Sequence, residues 1–592
     1  MILQRLNEYY ERKLSDGEMA PPGLSYITIS YLIVITENGK FVQFESLLSG
    51  EKKQQGRKIL LPSAVKRSSG INPNSLWDNA SFIFGVENIN DNQNKKQEKK
   101  SKNPKRLEAQ RVAFREKTEE LFNKTNEKEI KAIVEFLNHI PLATLEKQEL
   151  WPEVCKGSNI AFRIENKQEV VSLNPEVLLS IINQDTKPGL CLVTGKPAPI
   201  ARLHGSIRGL IGAMPTGASL VSFNQDAFSS YGHEQSFNAP VSQFATFAYV
   251  EALNTLLQGT NSQRLIIGDT SVVFWSSEKS DIEGDSFLNL FLEPESEKGL
   301  QKEAELLRLD QIKNLLISPK TGKQATLTDD TAFYVLGLTP NMARASVRFW
   351  YEGTVKQTKQ NLRQYFDDLQ IVKPSYESGF LSLKRLLKAT AVREEDKNII
   401  PDLASRLFQS ILDGRPFPRI VLERSLARLK ADHSEYSERN LFPRVSLIKA
   451  YLNRMGRFGR ISNFQEVQIE MDENNTNIGY NLGAFFAVME KAQEAANPGI
   501  NTTIRDRYFT SACTRPGTVF PVLVNLSMHH VSKAGGGLEV YYERLKAKIL
   551  SNVDKFPLVL SLEDQGNFAL GYYHQRQELF TKKQDDTKGD NK

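Results

Sequence analysis

The chain has 592 residues, with 76 basic against 70 acidic side chains and a formal net charge of +6. Hydrophobic content of 40% and charged content of 25% exclude a fibrous or wholly disordered protein, and the length calls for several domains. No apolar run is long enough to span a membrane, and the charged opening MILQRLNEYYERK lacks the apolar block of a signal peptide, so a cytoplasmic location is expected.

Leu3, Leu6 and Tyr10 share one face of an opening helix that Ser15, Asp16 and Gly17 end. YITISYLIVI then reads as a strand. Asn38-Gly39, between it and FVQF, is a hairpin signal. Residues 62–80, PSAVKRSSGINPNSLWDNA, read as a loop through Gly70 and Pro73. Lys66 and Arg67 can hold phosphates, while Ser69, Asn72 and Asn74 can bond base edges or phosphates. Trp77 offers a flat apolar face. The same composition suits a surface loop pinned by its tryptophan and closed by Asx-turns.

Residues 91–106 form a lysine-rich, low-complexity insertion, expected as a flexible surface segment or as an arm brushing a polyanion. Residues 107–138 carry the apolar spacing of one or two helices. Strand-like runs follow at 160–164, 190–193, 219–223, 264–268, 272–275, 333–338 and 345–351, with helical spacing at 241–257. Beyond about residue 380 helical runs dominate, which places a boundary between about 355 and 400. The expected organisation is an α+β N-terminal region over 1–370, a basic helical connector over 371–470 and an all-α helical bundle over 471–592.

Signals for chemistry are weak. Cys155, Cys191 and Cys513 are far apart, and His529-His530 is a poor metal pair, so neither a metal nor a cofactor is expected. Pro197 follows Gly195-Lys196 where a phosphate loop needs Ser or Thr, and no nucleophile elbow occurs. No catalytic residue stands out. Residues 424–460 hold nine Arg or Lys against three acids, and the stretch RVSLIKAYLNRMGRFGR has no acid. Arg444, Lys449, Arg454, Arg457 and Arg460 are therefore candidates for a single strand's phosphates, with Tyr451 and Phe458 as stacking platforms. The competing reading is a helix packed through Val445, Ile448 and Leu452 with a basic outer face.

Several segments, taken together and in order, carry a resemblance. They are APPGLSY, KRSSGINPNSLWDNA, CLVTGKPAPIARLH, ASLVSFNQDAFSSYGHEQSFNAPVS, YVLGLTPNMARASVRFWYEG, NIGYNLGAFFAVMEKAQEAA and LGYYHQRQELF. The chain resembles the large subunit of the type I-C CRISPR–Cas Cascade, an RNA-guided DNA surveillance complex. The resemblance implies a non-catalytic subunit that sits beside guide RNA and backbone subunits. Such a subunit recognises a protospacer-adjacent motif (PAM) in double-stranded DNA, helps open the duplex, supports the displaced strand, and precedes a recruited helicase-nuclease. Base pairing then reads the long sequence and protein reads a short element.

On that reading Lys66, Arg67, Ser69, Asn72, Asn74 and Trp77 form the first PAM-reading set, and Arg208, Ser230 and Tyr231 the second. A structural scaffold that leaves PAM reading to another subunit is the alternative, and a nuclease with dispersed acids a third. The resemblance further implies that a separate small subunit can arise by internal translation. Met471, just before NIGYNLGAFFAVME, is the expected start.

Overall fold

The computed structural model describes residues 1–49, 55–65, 70–86, 104–173, 178, 188–259, 261–297, 299–317, 330–431 and 441–589. The chain has a mixed α/β N-terminal part with small sheets and a C-terminal part built of helices. It divides into two compact units. The first contains residues 1–205 and 221–252, the second 206–220 and 253–592.

In the first unit, strands β1 (Leu24–Ile29), β2 (Tyr31–Ile35), β3 (Phe41–Ser46) and β4 (Arg57–Pro62) follow the opening helix Ile2–Ser15. The run YITISYLIVI, expected as one strand, is two strands in different sheets. At Ser30 the amide donates to Asn159 O and the carbonyl accepts from Leu47 N, so the ladder changes partner there. β1 pairs with β4, whereas β2 pairs antiparallel with β3 and parallel with β6 (Ile160–Ile164). The short β5 (Trp77–Asp78) closes the four-stranded order β3-β2-β6-β5.

The hairpin expected at Asn38-Gly39 is present. Gly39 has φ +74°, and a Cβ there would lie 2.6 Å from Ala132 O. Both the turn and the overlying helix Lys128–Asn138 thus require glycine. That helix and Pro104–Thr125 bury Ile130, Ile133, Phe136 and Phe114 on the sheet, where Phe136 meets Phe162 edge-on at 6.0 Å.

Two expected strands largely fail. Only Leu190 of the run 190–193 is extended, in the hairpin β7 (Pro188–Leu190) with β8 (Pro197–Pro199). Cys191 instead closes a turn, donating its amide to Lys196 O and accepting from Gly195 N. Residues 219–223 make one bridge, Ser219 to Arg344, and then bend.

The second unit holds an antiparallel sheet in the order β12-β11-β10-β9, made of β9 (Arg264–Ile267), β10 (Thr270–Ser276), β11 (Ala332–Asn341) and β12 (Arg344–Thr354). Its core does not stop where the sequence pattern turns helical. Phe349 packs on Phe408 at 5.8 Å, and one apolar cluster runs from Leu265 to Tyr573. The expected divisions at about 370 and 470 therefore fall inside one compact unit, because sheet and helices share one buried face.

The C-terminal helices are Ile478–Ala496, Ile504–Thr514, Pro516–Ala534, Gly536–Leu550 and Leu562–Gly589. The first and last cross closely. A Cβ on Gly483 would collide with Phe568 O, and one on Gly571 with Tyr480 O. Leu562–Gly589 also lies on earlier helices, since Gly566 faces Leu422, Ile448 and Leu452.

Candidate nucleic-acid interface

Between β4 and β5 the described residues 63–65 and 70–76 are irregular, and they are stapled to one another and to the strands. Trp77 Nε1 donates to Pro62 O at 2.8 Å, Val65 N donates to Asn74 Oδ1 at 3.0 Å, and Asn74 N donates to Asp78 Oδ2 at 2.9 Å. Lys117 Nζ reaches Pro73 O at 2.7 Å. Asn74 and Trp77 are buried, at 5% and 4% exposure. This corrects the expectation that Asn74 meets a base edge and that Trp77 offers its face to DNA, since both are spent on holding the loop. Asn72 is exposed. Lys66, Arg67 and Ser69 lie outside the described residues.

In the same unit, the segment 226–238 makes a braced turn. Asn238 Oδ1 accepts from Ser230 N at 2.7 Å, and its Nδ2 donates to His233 O and Gln235 O, both at 2.9 Å. Arg202 Nη1 holds Gln235 Oε1 at 2.9 Å. The brace presents Ser230 and Tyr231 to solvent. Tyr231 is 99% exposed and adopts φ +52°, a left-handed conformation that favours glycine. An aromatic ring so displayed on a fixed backbone loses no core contact by stacking on a base. Arg208 belongs to the second unit. It is exposed, and its amide donates to Asn254 Oδ1 at 2.8 Å.

The basic stretch near residue 450 takes a different form. Helix Leu441–Arg457 is buried on all sides from Leu441 to Arg454. Arg444, at 0% exposure, donates Nε to Ala389 O. Lys449, at 4%, donates to Asp368 O, and burial lowers its pKa. Arg454, at 1%, bonds Asp368 Oδ2 at 2.7 Å and the carbonyls of Ser410 and Arg415, with its guanidinium 4.5 Å above the Phe417 ring. These three, and Tyr451, are core groups that a strand's phosphates and bases do not reach, contrary to the expectation. Arg457 is partly exposed and bonds Asp368 Oδ1 at 2.6 Å. Phe458 and Arg460 face solvent at the helix end.

Sequence reasoning missed the acid that organises this cluster. Asp368, 2% exposed, receives Arg454, Arg457 and Gln364 on its carboxylate. Its signal was its place three residues after Tyr365 on the apolar face of helix Val355–Leu369, where a lone acid demands a buried cation. His574 was also missed. Its Nδ1 lies 2.8 Å from Tyr480 Oη, and burial, with the Lys449 charge, pushes its pKa down to about 3. In the first unit, burial pushes His204 down to about 4 beside Tyr249 Oη at 2.7 Å.

Among the described residues no group of three His, Cys, Asp or Glu is placed to hold a metal, and no helix is long and apolar enough to cross a membrane. The chain matches no curated protein. It does match the profile of the CRISPR-associated protein family Cas_Csd1 over residues 6–580, nearly its whole length. The chain thus belongs to the Cas_Csd1 family, the large subunit of the type I-C CRISPR Cascade.

Proposed function

We propose that the chain is the PAM-reading, non-catalytic large subunit of its Cascade. It works in the cytoplasm beside guide RNA and backbone subunits, helps open double-stranded target DNA, and precedes a separate helicase-nuclease. The observation that carries this reading is Tyr231, almost wholly exposed on a turn that Asn238 and Arg202 brace. Its ring stacks where the duplex parts, Ser230 bonds the adjoining backbone, and Asn72 meets a base edge alongside Lys66, Arg67 and Ser69. Arg208 adds a phosphate contact. The displaced strand follows the solvent end of the Leu441–Arg457 helix at Arg457, Phe458 and Arg460. Gel shifts with the assembled complex test the reading. Tyr231→Ala weakens binding to PAM-bearing duplex about tenfold, the worth of one stacked base, and Asn72→Ala narrows the gap between PAM-bearing and PAM-lacking duplex. Unchanged discrimination in both variants contradicts it.

We further propose that translation from Met471 supplies a small subunit of residues 471–592. These residues hold five helices with the tight glycine-mediated crossing of Ile478–Ala496 on Leu562–Gly589. Mass spectrometry of the complex purified from its native operon tests this, and detection of the full-length chain alone rules it out.

A further inference from the structure

The four-stranded sheet of the second unit ends in two unlike edges. β12 is bulged at Arg348, where Gly337 pairs with Phe349 and Leu338 with Val347, and it also carries Arg344 and Glu352. Bulges and charges blunt an open edge. β9 pairs with β10 without a bulge. Phe274 N donates to Gln263 O at 3.1 Å, so the alternation of the ladder turns the backbone of Leu265 and Ile267 toward β10 and that of Arg264 and Ile266 outward. Among the described residues nothing bonds the Ile266 amide or carbonyl, and the residue is 49% exposed.

A cavity of about 560 Å³ lies along this edge. Leu265 and Ile267 line it, together with Phe291, Leu383 and Leu387 of the same apolar cluster. The core face of the sheet thus continues past its last strand as an apolar-walled cavity, with partly exposed Leu292 at its mouth. Another wall is the loop that contributes Asp396, Lys397 and Ile399. Just before them Arg393 and Glu394 both adopt left-handed backbone, with φ +56° and +55°. Such strain is costly in non-glycine residues and clusters at binding sites. Lys384 and Lys388 both face the single carboxylate of Asp396, at 3.6 and 3.4 Å, and leave one positive charge in excess at the rim. Lys397 is balanced by Glu395 at 2.8 Å.

We infer that β9 takes a fifth strand, an extended segment of a neighbouring protein. Its backbone bonds the Ile266 amide and carbonyl, and its alternate apolar side chains enter the cavity. An acidic residue beside them meets Lys384. The outward backbone groups select an extended polypeptide, and the excess lysine charge selects its acidic flank. A Cascade subunit has protein neighbours that can supply such a segment. The inference holds whichever residues read the PAM.

The test places the photo-crosslinker p-benzoylphenylalanine at Leu292 in the assembled complex and maps the adducts by mass spectrometry. Adducts are expected on another protein subunit, in a segment apolar at alternate positions and flanked by Asp or Glu. Hydrogen exchange of the Ile266 amide should slow about tenfold from the full-length chain alone to the complex, the worth of one hydrogen bond. Ile266→Pro removes an N–H that the ladder with β10 does not use, so the sheet keeps its pairing. It should lower the adduct yield about tenfold by the same measure. Where the proline lowers the melting temperature, Lys384→Glu decides instead. That side chain is 59% exposed, and reversing its charge should lower the yield about threefold. Adducts on nucleic acid or on this chain's own peptides alone overturn the inference, as does the absence of any adduct. Equal exchange in the free chain and the complex, or parental yield in the deciding variant, overturns it as well.

Discussion

Two stretches of this chain are nucleic-acid candidates on different grounds, and the fold treats them oppositely. The segment 226–238 has little charge, yet it sets Tyr231 almost fully in solvent on a braced turn. The segment 444–460 has five cations and no acid, yet Arg444, Lys449 and Arg454 are inside the core. A one-signed block in sequence is one-signed in space only if its partners are not supplied from elsewhere. Asp368, far away in the chain, supplies one here.

The largest expected effect probes the buried side of the comparison. Asp368→Ala leaves buried Arg454 without a carboxylate and Arg457 with Glu466 alone, at 3.4 Å. It should cost about 3–5 kcal/mol, the usual loss when one partner of a buried pair is removed, read as a fall in the urea midpoint. A loss below about 1 kcal/mol would return Arg454 to the list of nucleic-acid contacts.

Acid comes next. His574 and His204 have folded pKa values depressed to about 3 and about 4. The unfolded chain therefore binds protons first as pH falls below about 6.5, and stability is lost from there down toward the folded values. Between pH 7 and pH 5 each histidine should cost about 2 kcal/mol. His574→Gln should remove about half of that slope, and an unchanged slope would show that the ring is protonated in the folded core.

Asn74→Ala separates holding the loop from reading DNA. It leaves the Val65 amide without its acceptor and should lower stability by about 1–2 kcal/mol. A stable Asn74→Ala protein with lost PAM preference would restore Asn74 as a reading residue. The smallest stability effect belongs to Tyr231→Ala, within about 0.5 kcal/mol by denaturation, since its ring packs on nothing it would lose.

Much of this was legible in sequence. The Asn38-Gly39 hairpin, the strands at 160–164 and 264–351 and the C-terminal helices follow from turn chemistry and periodicity. The break at Ser30 was not legible, because it depends on Asn159 and Leu47 offering backbone partners across the fold. The burial of Arg444 and Arg454 did leave a trace. Residues 441–452 are apolar on every face rather than along one stripe, the mark of a helix surrounded by protein. The display of Tyr231 left none, since it rests on one asparagine seven residues on.

The central claim is that this subunit meets the PAM through the first unit's braced turn and not through the basic helix of the second. Photo-crosslinking from PAM bases in duplex bound to the assembled complex, with the adducts mapped by mass spectrometry, tests it most directly. The account predicts adducts on the peptide that contains Tyr231 and none on residues 441–454. Adducts on that helix, or on other subunits alone, would contradict it.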